Sequence, residues 1–154
     1  MKKVLILISL ILLIFNNCSN KNENNFISEF NYLIKLPENW NEYESDENNT
    51  NAFFDTTNWT GNLRITSMNY KVENSLNFLN KIQIEKKAKK ISWSNLQGIY
   101  YVENKNNEQI HYWYLIEKNK LYVCSFLIGK LNGKTAIENE LNKVENILKT
   151  IKTK

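Results

Sequence analysis

Cysteine, histidine and arginine are the scarce reactive or directional groups of this chain: Cys18 and Cys124, His111, and Arg64 against nineteen lysines. Each needs particular company to do chemistry. A thiol just after an apolar leader can be acylated. A histidine can serve as a general base, but a hydrolytic triad also needs a nucleophile and an orienting acid. An arginine offers a planar, two-pronged donor that lysine cannot imitate.

Cys18 has that company. Lys2 and Lys3 precede an apolar run over residues 4–15, broken only by Ser9, and Cys18 follows where the chain turns Asn-rich. The run is shorter than the roughly twenty residues that span a bilayer, and with its lysines it reads as a secretory signal. Phe15, Asn16 and Asn17 stand where a lipobox normally has Leu and two small residues. The pattern resembles the relaxed lipoboxes of Bacteroidetes lipoproteins. The expectation is a signal over 1–17, a lipidated tether over 18–25 and one domain over 26–154. Lipid on Cys18 would hold the protein in the cell envelope, on the periplasmic side or at the outer membrane. The alternative is a conventional or uncleaved signal with an incidental cysteine.

His111 lacks its company. It shares a strand face with Trp113 and Leu115, with no clustered nucleophile or acid, so a packed histidine is expected and a hydrolase using His111 is the weaker alternative. Cys124 alternates with Tyr122 and Phe126, as a buried thiol does. With Cys18 lipidated it has no disulfide partner. Gly129 to Thr135 sits between a strand and a helix, where a phosphate-binding loop would sit. Only three residues separate its glycines, where four are needed to wrap a phosphate. It reads as a turn. No catalytic residue, cofactor site or metal-ligand set is assigned.

Arg64 is the residue to watch, with Asp55, Trp59 and Gly61 before it. It either forms a partner site with an aromatic or pairs with a carboxylate such as Asp55. The candidate partner-binding residues are Arg64, Trp59 and Trp40, with Tyr43 and Tyr70 as further exposed anchors. The lysine run over 86–90 reads as a solvated helix end; the other reading is contact with anionic headgroups or an acidic partner.

Charge narrows the classes further. The formal net charge is +4 over 154 residues, and two of those charges leave with the signal. That is no nucleic-acid-binding balance. Apolar residues at 42% and aromatics at 12% mark a globular domain rather than a disordered one.

The elements that must position these groups follow from hydrophobic periodicity. Strict alternation from Phe30 to Leu36 predicts one strand over 26–36, ended by Pro37. Shorter strands follow over 40–45 and 52–55, then a longer one over 62–70. A helix capped by Asn74 or Ser75 runs to about Lys90. A three-strand meander over 92–103, 108–117 and 120–128 comes next. Its last two strands are apolar on both faces, so they should be central. Thr135 and Glu138 read as a capping box opening a last helix through Ile151. The order β-β-β-β-α-β-β-β-α predicts an α+β fold: an antiparallel sheet of about six to seven strands flanked by two helices.

Leu36-Pro37-Glu38-Asn39-Trp40, the meander and the closing Asn146 to Lys152 segment together resemble the PsbP-like sandwich. That fold is shared by a photosystem extrinsic protein, a Ran-binding import factor and several bacterial lipoprotein families. Trp59-Thr60-Gly61-Asn62-Leu63-Arg64-Ile65-Thr66 resembles a segment of a small Bacteroidetes family of unknown function. The resemblance implies a fold whose members mostly bind proteins or assist assembly, with no shared catalytic site. The expected role is therefore a non-catalytic protein-binding or assembly module, held to the membrane by lipid on Cys18 and facing an unidentified envelope protein. An immunity lipoprotein neutralising an envelope toxin is the alternative of similar size and address.

Overall fold

The computed structural model describes residues 23–154 apart from Asn107. Strands β1 (Glu23–Ser28), β2 (Tyr32–Pro37), β3 (Trp40–Tyr43), β4 (Thr50–Asp55) and β5 (Gly61–Asn69) come first. Helix α1 (Val72–Lys86) follows, then β6 (Lys89–Trp93), β7 (Leu96–Lys105), β8 (Glu108–Glu117) and β9 (Lys120–Ile128). Helix α2 (Lys134–Leu148) and the short β10 (Lys152–Thr153) close the chain. The seven-stranded sheet runs β3-β4-β5-β9-β8-β7-β6 and the three-stranded sheet β1-β2-β10, every pair antiparallel. β9 is its middle strand with β8 beside it, as their two apolar faces require.

Period-two burial sorts the side chains of the large sheet into two faces. Leu63 and Ile65 of β5, Trp113 and Leu115 of β8, and Tyr122, Cys124 and Phe126 of β9 point to the inner face. There they meet Tyr32, Ile34 and Leu36 of β2 and Val144, Ile147 and Leu148 of α2. The small sheet and α2 thus form one layer over that face. Full burial of Phe53 and Phe126 contributes roughly 1.5–3 kcal/mol for each side chain. On the outer face, Leu79, Phe78 and Ile82 of α1 pack on Ile99, Tyr101, Ile116 and Leu121. One helix lies on each face, and the expected α+β sandwich is the fold observed.

A buried polar network locks the two sheets in register. The hydroxyls of Ser28 and Tyr32 both donate to Asn51 Oδ1 at 2.6 Å, and Asn51 Nδ2 donates to Glu42 Oε1 at 2.5 Å. Every group in it is paired, the condition under which buried polar groups are tolerated.

Several boundaries differ from the sequence expectation. The single strand over 26–36 is a hairpin: β1 and β2 pair from Glu23↔Pro37 to Ser28↔Tyr32 around Asn31, whose φ is 64°. β1 begins at Glu23, so the tether read over 18–25 gives its last three residues to the sheet. α1 starts at Val72, with Lys71 as its N-cap, so Asn74 and Ser75 lie inside its first turn. It stops at Lys86 because Lys87 turns left-handed at φ 51°, and Lys89 and Lys90 belong to an edge strand. The strand over 92–103 is a second hairpin, β6–β7, closed by Ser94 and Asn95 with Ser94 at φ 47°. Gly133, at φ 89°, is the N-cap of α2, which puts Thr135 within the helix and removes the capping box. That helix ends at Leu148, and Lys152–Thr153 joins β2 as a strand.

Candidate functional site

α1 covers only part of the outer sheet face. Beyond it, Arg64 and Thr66 of β5, Ile110 and Tyr112 of β8, and Val123, Ser125 and Leu127 of β9 line an open groove of about 400 Å³, with Asn62 at its edge and Glu47 across it. Strand alternation puts all the β5, β8 and β9 members on one side. The groove mixes one guanidinium, one phenol and two small hydroxyls with three aliphatic side chains.

Arg64 pairs with Glu47, which reaches over from the loop between β3 and β4; the Arg64 side chain is 37% exposed and that of Glu47 54%. The expected carboxylate was Asp55, which points the other way. Asp55 accepts from Thr57 N at 2.9 Å, Thr57 Oγ1 at 2.7 Å and Asn58 N at 3.1 Å, closing its own turn. Burial alone would raise its carboxyl pKa. The Thr57 and Asn58 hydrogen bonds, with the nearby Lys143 ammonium, outweigh burial and hold it below the ordinary value.

Tyr112 is the open end of an aromatic ladder. Its ring stacks on Tyr101 with centroids 5.0 Å apart, Tyr101 lies against Tyr114, and Tyr114 meets Phe78 of α1 edge-on. The groove floor is therefore continuous with the packing under the helix. Asn62 Oδ1 is buried without a hydrogen-bond partner among the described residues.

The three sequence candidates do not meet on one surface. Trp40 is only 2% exposed and stacks on Phe126 in the inner core. It is a packing residue, because its strand position directs it inward beside Phe53 and Leu63. Tyr43 and Tyr70 are half-buried, Tyr43 edge-on against Phe54 and Tyr70 against Phe78. Trp59 alone is an exposed aromatic anchor, at 57%. It sits in the loop between β4 and β5, at the end of the sandwich rather than in the groove. Cys18 lies outside the described residues.

The loop that carries Trp59 is tied on all sides. Thr56 N donates to Asn39 O at 2.8 Å, Gly129 N donates to Thr60 O at 2.9 Å, and Thr60 Oγ1 donates to the buried Glu140 carboxylate. Glu140 also accepts from Lys143 Nζ at 2.9 Å. A Cβ on Gly129 would stand 3.0–3.1 Å from the Thr60 carbonyl group, so its strand end is pressed against this loop.

His111 is buried between Tyr100 and Trp113, stacked on both. Nδ1 lies 2.6 Å from the Tyr100 hydroxyl and Nε2 lies 3.2 Å from Gln109 Oε1. A neutral ring protonated on Nε2 satisfies both: Tyr100 donates to Nδ1, and Nε2–H donates to the amide oxygen. Burial lowers its pKa to about 4. Its hydrogen-bonding neighbours are a phenol and an amide, neither of them an orienting carboxylate. Cys124 is fully buried, and burial pushes its thiol pKa well up. Among the described residues no group of three or more His, Cys, Asp or Glu side chains is placed to hold a metal ion.

Glu47, Tyr112 and Glu140 escaped the sequence reading. Alternation had placed Tyr112 with Ile110 and Tyr114 on one strand face. Where the covering helix stops along that face is a tertiary fact with no local signal.

The fold and this half-open outer face define an antiparallel α+β sandwich with one helix on each face of its large sheet. The chain belongs to the family described as Domain of unknown function (DUF3805), whose model matches residues 21–154. A crystal structure of a protein from Bacteroides thetaiotaomicron resembles it with a TM-score of 0.70 at 20% identity over 87% of this chain. This chain spans 49% of that protein, about half its length. The Ran-binding protein Mog1p of Saccharomyces cerevisiae gives a TM-score of 0.52 at 5% identity, over 87% of this chain and 96% of that one. Cyanobacterial PsbP from Synechocystis is a looser likeness: TM-score 0.46 and 7% identity, over 90% and 96% of the two chains. Such identities speak to fold alone. No functionally curated protein matches the chain.

Proposed function

We propose that this protein is a lipid-anchored module of the bacterial cell envelope that acts by binding another envelope protein, without catalysis, through the open part of its outer sheet face. The anchor rests on the sequence: a lysine-headed apolar leader followed by Cys18. The binding face rests on one observation, the groove beside α1 in which Arg64 and Tyr112 stand among Ile110, Val123 and Leu127. Arginine and tyrosine set in a partly apolar, partly desolvated surface are the residue types that dominate protein interfaces. Arg64 carries extra weight as the single arginine among nineteen lysines, because a planar, directional donor is what a lysine could not replace.

The test uses the full-length protein in its own cell, with a photo-crosslinking side chain at position 112. A second copy of the experiment places the crosslinker at Ile84, which is exposed on the solvent side of α1. A discrete adduct is expected from position 112, absent from position 84 and weakened at least tenfold by Arg64→Glu. Equal labelling from both positions, or no adduct from 112, would sink the reading.

A further inference from the structure

We propose that the end of the sandwich carrying Glu23 lies against the membrane and that Trp59 seats its ring in the headgroup interface. The inference rests on the lipid anchor proposed above and adds the surface that meets the bilayer.

Strand register places the relevant pieces at one end. Glu23 pairs with Pro37, Trp40 with Asp55, and Gly61 with Ile128. The chain's entry into β1, the Pro37–Trp40 turn, the Trp59 loop and the connection after β9 therefore share one rim, joined by the Thr56–Asn39 and Gly129–Thr60 hydrogen bonds. Cys18 is five residues before Glu23. At roughly 3.3–3.6 Å per residue, those residues reach at most about 18 Å. β8 alone has ten residues, and at roughly 3.3 Å per residue it is about 33 Å long. The tether is too short to let the domain stand on its opposite end.

Chemistry points the same way. Trp59 is the large aromatic exposed on this rim, held out by a loop whose backbone and Thr60 side chain are fixed to three other segments. Indole is amphipathic and favours the membrane–water interface. The exposed charges of this rim balance, with Lys105, Lys130 and Lys134 against Glu38, Glu108 and Glu138, and Glu23 paired with Lys35. The acid-rich loop with Glu44 and Asp46 leaves the sheet at the far end, since Thr50 pairs with Thr66 and Ser67 N donates to Asn49 O, and its Glu47 folds back to pair with Arg64. An anionic membrane surface would repel that loop and tolerate this rim.

The test uses the full-length, acylated protein reconstituted into phosphatidylethanolamine–phosphatidylglycerol vesicles with brominated acyl chains, which quench tryptophan on contact. Trp40 and Trp113 are buried, and Trp93 lies under Lys149 next to the opposite hairpin. Quenching should therefore come from Trp59, and Trp59→Phe should abolish it while leaving flotation with vesicles unchanged. Vesicle-bound, acylated protein with no Trp59-dependent quenching overturns the inference and leaves the anchor standing. Trp59 shielded from acrylamide yet untouched by bromine would give the rim to a protein contact, which also overturns it. A protein with no acyl chain by mass spectrometry overturns the anchor and this inference together.

Discussion

The hydroxyl of Thr60 donates to the carboxylate of Glu140, eighty residues further along the chain, and Glu140 is only 3% exposed. This one hydrogen bond joins the Trp59 loop to α2. Lys143 meets the same carboxylate from the half-exposed side of the helix. Thr60→Val keeps the shape and removes the donor, leaving a buried carboxylate one partner short. The expected cost is about 1–3 kcal/mol. Hydrogen exchange at the amides of residues 57–60 should accelerate more than at β9. Unchanged exchange there would show that the loop is held by its backbone bonds alone.

The architecture was largely legible, because alternation and helical spacing report which way a side chain points. What was missed was punctuation. Asn31 closes the β1–β2 hairpin in a left-handed conformation that asparagine tolerates better than most residues. In so Asn-rich a chain, one more asparagine carries little signal. The lysine run hid β6 in a similar way. Lysines suit a helix end, and they equally guard an exposed edge strand against mispairing. Only the left-handed turn at Lys87 divides the two uses. Trp40 was misjudged as an anchor because a tryptophan after a Pro turn looks the same whichever face its strand presents. Its pairing with Asp55 beside Phe53 sends it to the core. Arg64 pairs with a carboxylate from a loop seventeen residues away, Glu47, where the sequence pointed to one such as Asp55.

His111 makes stability depend on pH. Burial lowers its folded pKa to about 4, while an unfolded chain binds the proton near 6.5. Between those values the unfolded state holds a proton that the folded state refuses. Stability is therefore full above about pH 6.5, declines as pH falls and levels off near 4, a loss of about 3 kcal/mol at most. His111→Gln, lacking a titrating ring, should flatten that part of the curve. Urea unfolding of both forms at pH 7.0, 5.5 and 4.5 measures it; parallel curves would mean that His111 is protonated in the fold.

Gly98 permits the close approach of β7 and β8. A Cβ there would lie 2.0 Å from the Tyr114 carbonyl oxygen, backbone that cannot swing aside. Gly133 is the contrast: its surroundings are open, and only its φ of 89° resists a side chain. Gly98→Ala should cost more than about 3 kcal/mol or prevent folding, against about 1–2 kcal/mol for Gly133→Ala. Equal midpoints in thermal unfolding would contradict the register of β7 on β8.

Arg64 should separate binding from stability. Its pair with Glu47 is solvent-exposed on both sides, and such pairs contribute about 1 kcal/mol or less. Arg64→Ala should therefore fold with a midpoint within a few degrees of wild type while losing the crosslink from position 112. Arg64→Lys is the sharper variant, since it keeps the charge and discards the planar fork. If Lys restored full crosslinking, charge alone would explain the site and the scarcity of arginine would carry no meaning.

Cys124 offers a direct report on opening of the core. Its sulfur lies between Ile65 and Trp113 in the strand order, with no exposed surface, and burial raises its thiol pKa. Alkylation requires thiolate and access, and the folded state supplies neither. If Cys18 carries the proposed lipid, its sulfur is held as a thioether, and a maleimide should then label nothing until the sandwich opens. The labelling rate should follow global unfolding, with the same urea dependence as tryptophan emission. Gly98→Ala should raise it and Arg64→Ala should not. Fast labelling of the native mature protein would mean either that β9 opens locally or that Cys18 is a free thiol. Cys18→Ser tells these apart, because it silences only the second.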